Sequence, residues 1–239
     1  MLTMLLGSFC SAFATGVGAL PVLFMKTIKH KTRDNLLALS AGVMVSATAF
    51  GLIPASIDAS GTITACIGTV LGVIMLDLLE KTLPHVELEH NLDEKKKQSA
   101  ILVLIALMLH NFPEGASVGL SYSSQTNEHL GVLMAITIGL QNMPEGLIVA
   151  LYLVNSEMNR IKAVLIATLT GVVEIVGGII GYLIGYSFQS TIGVGLGIAA
   201  GAMLYLVYKE LIPESHGHGY QRSATFYFVF GFLFMLLIT

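Results

Sequence analysis

At 239 residues, with 54% hydrophobic and 11% charged residues, the chain is too apolar for an ordinary soluble domain. It reads as an all-α polytopic membrane protein with one domain over 1–239. A formal net charge of -3 and the lack of a basic stripe exclude a nucleic-acid partner and leave the lipid bilayer as the surrounding medium.

Eight apolar runs predict eight transmembrane helices: 2–25, 36–57, 62–79, 100–122, 130–154, 163–187, 191–212 and 224–239. The first begins at once, without a positive leader, and predicts a retained helix rather than a cleaved signal peptide. Cys10 in the first run and Cys66 in the third lack CxxC spacing and are expected as small buried side chains. All twelve basic residues fall in or beside odd-numbered loops: Lys26, Lys29, Lys31 and Arg33; Lys81, Lys95, Lys96 and Lys97; Arg160 and Lys162; Lys209 and Arg222. Because Lys and Arg stay on the cytoplasmic side, both termini are expected outside the cytoplasm.

The third loop, 80–99, mixes His85, Glu87, Glu89 and His90 with a lysine triplet. It predicts either a solvated segment or a low-affinity metal relay, since imidazole and carboxylate suit divalent transition metals. Glu210, Glu214, His216 and His218 at the end of the seventh run read the same way. Gly177, Gly181 and Gly185, and again Gly193, Gly197 and Gly201, recur at every fourth residue. They predict close helix packing, with homodimer formation as a second use.

The chain also repeats itself. Ala41-Gly42-Val43-Met44 leads to Leu52-Ile53-Pro54-Ala55-Ser56 in the second run, and Ala200-Gly201-Ala202-Met203 leads to Leu211-Ile212-Pro213-Glu214-Ser215 in the seventh. Runs of opposite direction carrying one motif predict a 3+2+3 arrangement, with helices 1–3 and 6–8 as an inverted repeat around a central pair. Such repeats place substrate at their interface near the midplane.

The central pair carries the chemistry: His110-Asn111-Phe112-Pro113-Glu114-Gly115 and Gln141-Asn142-Met143-Pro144-Glu145-Gly146. On a helix His110 and Glu114 lie about 40° apart and one turn displaced, able to hold one ion, and Asn111 places Glu114 between itself and His110. Gln141, Asn142 and Glu145 repeat the geometry. The prolines free the carbonyls of Leu109 and Leu140, and the glycines let a neighbouring backbone approach. Glu174, in the sixth run, adds a third carboxylate. No Lys or Arg inside the runs around these acids pairs with them, so protons or bound cations must offset their charge.

H-N-x-P-E-G followed by Q-N-x-P-E-G, with Asp77-Lys81-Thr82-Leu83-Pro84-His85 and Glu210 to His218, resembles the ZIP (Zrt/Irt-like protein) family of divalent metal transporters, in its GufA-like bacterial branch. The resemblance implies two adjoining metal sites. One uses His110, Glu114, Gln141 and Glu145; the other uses Asn111, Asn142, Glu174 and the shared glutamates. Asn142 stands where some members carry Asp, and Ile175 follows Glu174 where a proline is common. The resemblance also implies an elevator motion of helices 1, 4, 5 and 6 against 2, 3, 7 and 8.

The expected function is therefore carriage of Zn²⁺ into the cytoplasm across a bacterial inner membrane, with Cd²⁺, Fe²⁺, Mn²⁺ and Co²⁺ as further substrates and no cofactor. Asp58 is expected on the entrance path, and Asp77, His85, Glu210, His216 and His218 on the exit path. A metal-selective channel with the same ligands is the nearer alternative. An intramembrane zinc hydrolase is the more distant one, since no H-E-x-x-H appears.

Overall fold

The computed structural model describes residues 1–25, 28–81, 96–124 and 129–238, including side chains except those of 96–107 and 109. The described residues are helical almost throughout. In chain order they form α1 (Leu2–Ala19), α2 (His30–Ala47), α3 (Ile53–Ser60), α4 (Thr62–Lys81), α5 (Lys96–Ser123), α6 (Leu130–Asn155), α7 (Arg160–Thr170), α8 (Val172–Ser187), α9 (Ile192–Leu206), α10 (Ile212–Ser215) and α11 (Gln221–Leu236).

Several apolar runs are interrupted rather than straight. A wide π-type turn at Thr48–Leu52 joins α2 to α3, and another at Val207–Leu211 joins α9 to α10. Each lies just before a proline, Pro54 or Pro213, whose missing N–H cannot continue the ordinary ladder. The sixth run breaks at Gly171 between α7 and α8. That break occurs although Ile175, and not a proline, follows Glu174. The second run also begins earlier than its hydropathy suggests, because the polar stretch His30 to Asn35 is already helical.

Among the described residues, six continuous stretches are long and apolar enough to cross a membrane: Leu2–Leu23, His30–Ser60, Thr62–Lys81, Leu130–Asn155, Arg160–Ser187 and Gln189–Ser215. Their outward faces carry large apolar side chains, among them Phe9, Phe13, Ile63, Ile67 and Leu183, and α11 adds Phe230. Inward faces mix small residues with a few large apolar ones: α1 buries Met4, Ser8, Ser11, Ala12, Thr15, Gly16 and Ala19. The small residues suit a lipid surround, where contact between helices depends on close backbone approach. Cys10 and Cys66 are both exposed on this outer surface, which corrects the expectation that they are buried. Their size suits either face, so spacing alone could not place them.

Four helix pairs form the main contacts: α1 with α6, α5 with α8, α2 with α11, and α4 with α9. Glycines sit at these crossings. A methyl group at Gly72 would overlap the backbone of Ile198, and one at Gly201 would overlap that of Thr69. The Gly177 and Gly181 positions lie against the α5 backbone in the same way. Both glycine seams are thus occupied within the chain.

Replacing Gly201 by Val is expected to force α4 and α9 apart, costing roughly 1–3 kcal/mol as overpacked cores do. Gly139, whose nearest non-neighbouring atom to a built Cβ is Ala14 Cβ at 3.6 Å, is expected to accept Ala without loss. Thermal unfolding of the two purified variants measures the contrast.

Candidate metal centre

Four helices converge on the central pair. α5 supplies His110, Asn111 and Glu114; α6 supplies Gln141, Asn142 and Glu145; α8 supplies Glu174 in its first turn; α1 supplies Ser11 and Thr15. The glycines of the two repeats make this possible. At Gly115 a side chain would overlap the backbone of Glu174, and at Gly146 that of Thr15. Each Pro-Glu-Gly stretch therefore carries its carboxylate at a point where another helix backbone touches it.

The polar atoms pair off in two groups. Gln141 Nε2 donates to Glu114 Oε1 at 2.6 Å. Glu174 accepts from Asn142 Nδ2 at 2.7 Å on one oxygen and from Ser11 Oγ at 2.8 Å on the other. Glu114, Gln141, Asn142 and Glu174 are each 0–1% exposed. The three carboxylates are near enough to influence one another, with Glu114 facing the charges of Glu145 and Glu174. No Lys or Arg among the described residues forms an ion pair with any of them.

Half of this polar surface is unsatisfied. Glu114 Oε2, Gln141 Oε1, Asn142 Oδ1 and Glu145 Oε1 are buried with no hydrogen-bond partner, and so is Thr15 Oγ1. Buried oxygens in such number are expensive unless something else binds them. All are acceptors or hydroxyls, the donor types that coordinate cations. The amide N–H₂ groups of Gln141 and Asn142 take the carboxylates. A half-turn of either amide about its terminal bond would present its oxygen beside the carboxylate instead.

His110 departs from expectation. It lies on the face of Glu114, but its Nε2 stands 3.2 Å from Glu210 Oε1, on the π-type turn of the seventh run. Glu145 is within electrostatic reach of both. Spacing along one helix cannot reveal a partner supplied by another. Asn111 also supports the backbone, since its Nδ2 donates to Thr170 O at 3.2 Å, the carbonyl left open where α7 stops. Among the described residues no three His, Cys, Asp or Glu side chains are grouped as a metal cage.

The outlying candidates are scattered. Asp58 is exposed near the end of α3. Asp77 pairs with Lys81 and accepts from Tyr205 Oη at 3.1 Å, while Glu80 holds Lys209. These contacts tie α4 to the seventh run. His216 is exposed, and His218 Nδ1 lies 2.9 Å from Asp34 Oδ1. His85 and the rest of 82–95 lie outside the described residues. Sequence reasoning missed Ser11 and Thr15. Their signal was a stripe of small hydroxyls, Ser8, Ser11 and Thr15, on one face of the first run.

Comparison with known proteins identifies the family. The family model described as ZIP Zinc transporter matches residues 80–239. The chain belongs to the ZIP family. It is 36% identical to the Zinc transporter GufA of Myxococcus xanthus, over 98% of this chain and 96% of that protein. It is 33% identical to the Zinc transporter ZIPB of Bordetella bronchiseptica, over 98% of this chain and 79% of the relative. With the Zinc transporter ZupT of Chlorobium chlorochromatii identity is 35%, over 90% of this chain and 88% of the relative.

Within this ZIP chain, Asn111→Ala would leave the Thr170 carbonyl buried without its donor. A loss of about 1–3 kcal/mol is expected, read as a lowered unfolding midpoint in purified protein without added metal.

Proposed function

We propose that the chain carries Zn²⁺ and other first-row divalent ions across a bacterial inner membrane into the cytoplasm. The buried, unpartnered oxygens of Glu114, Gln141, Asn142 and Glu145 are the chief support. A cation held between α5 and α6 would satisfy them and offset charges that no Lys or Arg in this region neutralises. Cd²⁺, Fe²⁺, Mn²⁺ and Co²⁺ suit the same mixed donor set, which has no thiolate to select among them. The relatives are named zinc transporters and favour neither the channel nor the hydrolase alternative.

In transport, His110, Glu114, Gln141 and Glu145 hold the first ion. Asn111, Asn142 and Glu174 form the second site with the shared glutamates, and Ser11 orients Glu174. His110 must leave Glu210 to ligate, so loading exchanges a link between α5 and the seventh run for a link within the central pair. That exchange suits alternating access, in which one helix group shifts against another. The main helix pairs fall into two groups that fit it: α1 with α6 and α5 with α8 on one side, α2 with α11 and α4 with α9 on the other. Exchanging the first three runs with the last three maps the first group of contacts onto itself and the second onto itself, which supports the 3+2+3 inverted layout. In this layout α5 and α11 are the two remaining spans, and 1–239 is one transport domain.

The basic residues and contacts between the loops support the proposed orientation. Arg160 Nη1 donates to Leu23 O at 3.1 Å, Arg33 pairs with Glu214 at 3.5 Å, and Lys209 pairs with Glu80. These contacts gather the odd-numbered connections at one end, assigned to the cytoplasm. At the other end, the Met1 amino group donates to Tyr182 Oη at 3.2 Å.

Purified protein in liposomes is expected to take up Zn²⁺ saturably, and Glu145→Ala is expected to abolish that uptake. Unchanged flux in the variant would remove the site assignment.

A further inference from the structure

A second polar cluster lies at the start of α2, beside the turn that follows α10, outside the central set; of its residues only His218 is expected on the exit path. Asp34 is 0% exposed. Its Oδ1 meets His218 Nδ1 at 2.9 Å, while Oδ2 is buried with no hydrogen-bond partner. The neighbouring Asn35 is also buried, and its Oδ1 is likewise unpartnered. His30 lies one helical turn before Asp34, on the same face of α2. Its ring stacks on that of His218 with centroids 4.0 Å apart and planes 29° from parallel. The adjacent cation Arg33 is engaged by Glu214 at 3.5 Å.

This arrangement is costly as it stands. A carboxylate without exposure and with one oxygen unused keeps little compensation for its lost hydration. His30 and His218 bring two stacked imidazoles beside this carboxylate. A metal ion held by these groups would satisfy the unused oxygen, since it binds neutral imidazoles and an ionised carboxylate.

We propose that His30, Asp34 and His218 form a second binding site for a divalent transition-metal ion, with Asn35 Oδ1 or water completing it. Two imidazole nitrogens, one carboxylate and one neutral oxygen match a four-coordinate Zn²⁺-type ion and exclude Mg²⁺ and Ca²⁺, which require more oxygen ligands. The site is not preassembled, as no such triad stands ready among the described residues. His30 is exposed at the N-terminal end of α2 and is the ligand that must turn; Asp34 is fixed by burial. Occupancy would fasten α2 to the turn that leads into α11, the helix packed along it. This site shares no residue with the central set, so it stands or falls independently of the proposed transport.

The test uses full-length, tag-free protein carrying Glu145→Ala and Glu174→Ala to silence the central set, titrated with Co²⁺. Four-coordinate Co²⁺ absorbs strongly in the visible, whereas hydrated Co²⁺ does not. A saturable band is expected, competed away by Zn²⁺ and abolished by either His30→Ala or His218→Ala. His30 is exposed, so its variant should keep the unfolding midpoint of the metal-free parent. The proposal is overturned if no saturable band forms, or if the band survives either histidine substitution. Zn²⁺ uptake by the otherwise wild-type chain, measured separately, reports on the central site alone.

Discussion

The structure turns on three carboxylates buried among apolar helices, with no Lys or Arg among the described residues to pair with them. Glu114 and Glu174 are each 1% exposed, and Glu145 projects from the same central pair. Burying an unpaired charge costs several kcal/mol even after relaxation, and a membrane interior offers no water to soften it. The surrounding polar groups address only part of that cost. Gln141, Asn142 and Ser11 donate to the carboxylates, yet four oxygens of the two repeated motifs remain unpartnered. A folded protein retains such a liability where a ligand removes it, and a divalent cation is the ligand that these donors fit.

The rest of the architecture serves that constraint. Close approach of backbones at Gly115 and Gly146 brings α8 and α1 against the Pro-Glu-Gly stretches, so that Glu174, Ser11 and Thr15 reach the centre. The sixth run breaks at Gly171, and Asn111 satisfies the carbonyl exposed by the break. Glu174 is thereby placed in the first turn of α8, with its backbone N–H bonded to Gly171 O. The π-type turn before Pro213 puts Glu210 within reach of His110. Breaks in helices that a soluble protein would avoid are here the means of aiming side chains.

Much of this was legible in the sequence because it depends on local periodicity. Helical class, the two Pro-Glu-Gly repeats, their shared faces and the packing role of the spaced glycines all follow from residue spacing within single runs. What was not legible depends on which runs meet. The pairing of His110 with Glu210, the donation from Ser11 and the cap provided by Asn111 each join positions from different helices, and no spacing rule specifies them. The two cysteines illustrate the same limit, since a small apolar side chain suits lipid and protein interior equally. The break at Gly171 shows a further limit, since the absence of a proline after Glu174 left a kink in the sixth run open, and the run nevertheless turns at glycine.

Calorimetric titration of the purified chain with Zn²⁺ tests the central claim most directly, run at mildly acidic and at neutral pH in buffers of different ionisation heat. Protons compete with the ion for the central carboxylates, so binding should release protons and weaken as pH falls. Saturable binding with that signature, lost in Glu145→Ala, is the predicted result. Binding of equal affinity at both pH values without proton release, or undiminished binding in the variant, would contradict the account.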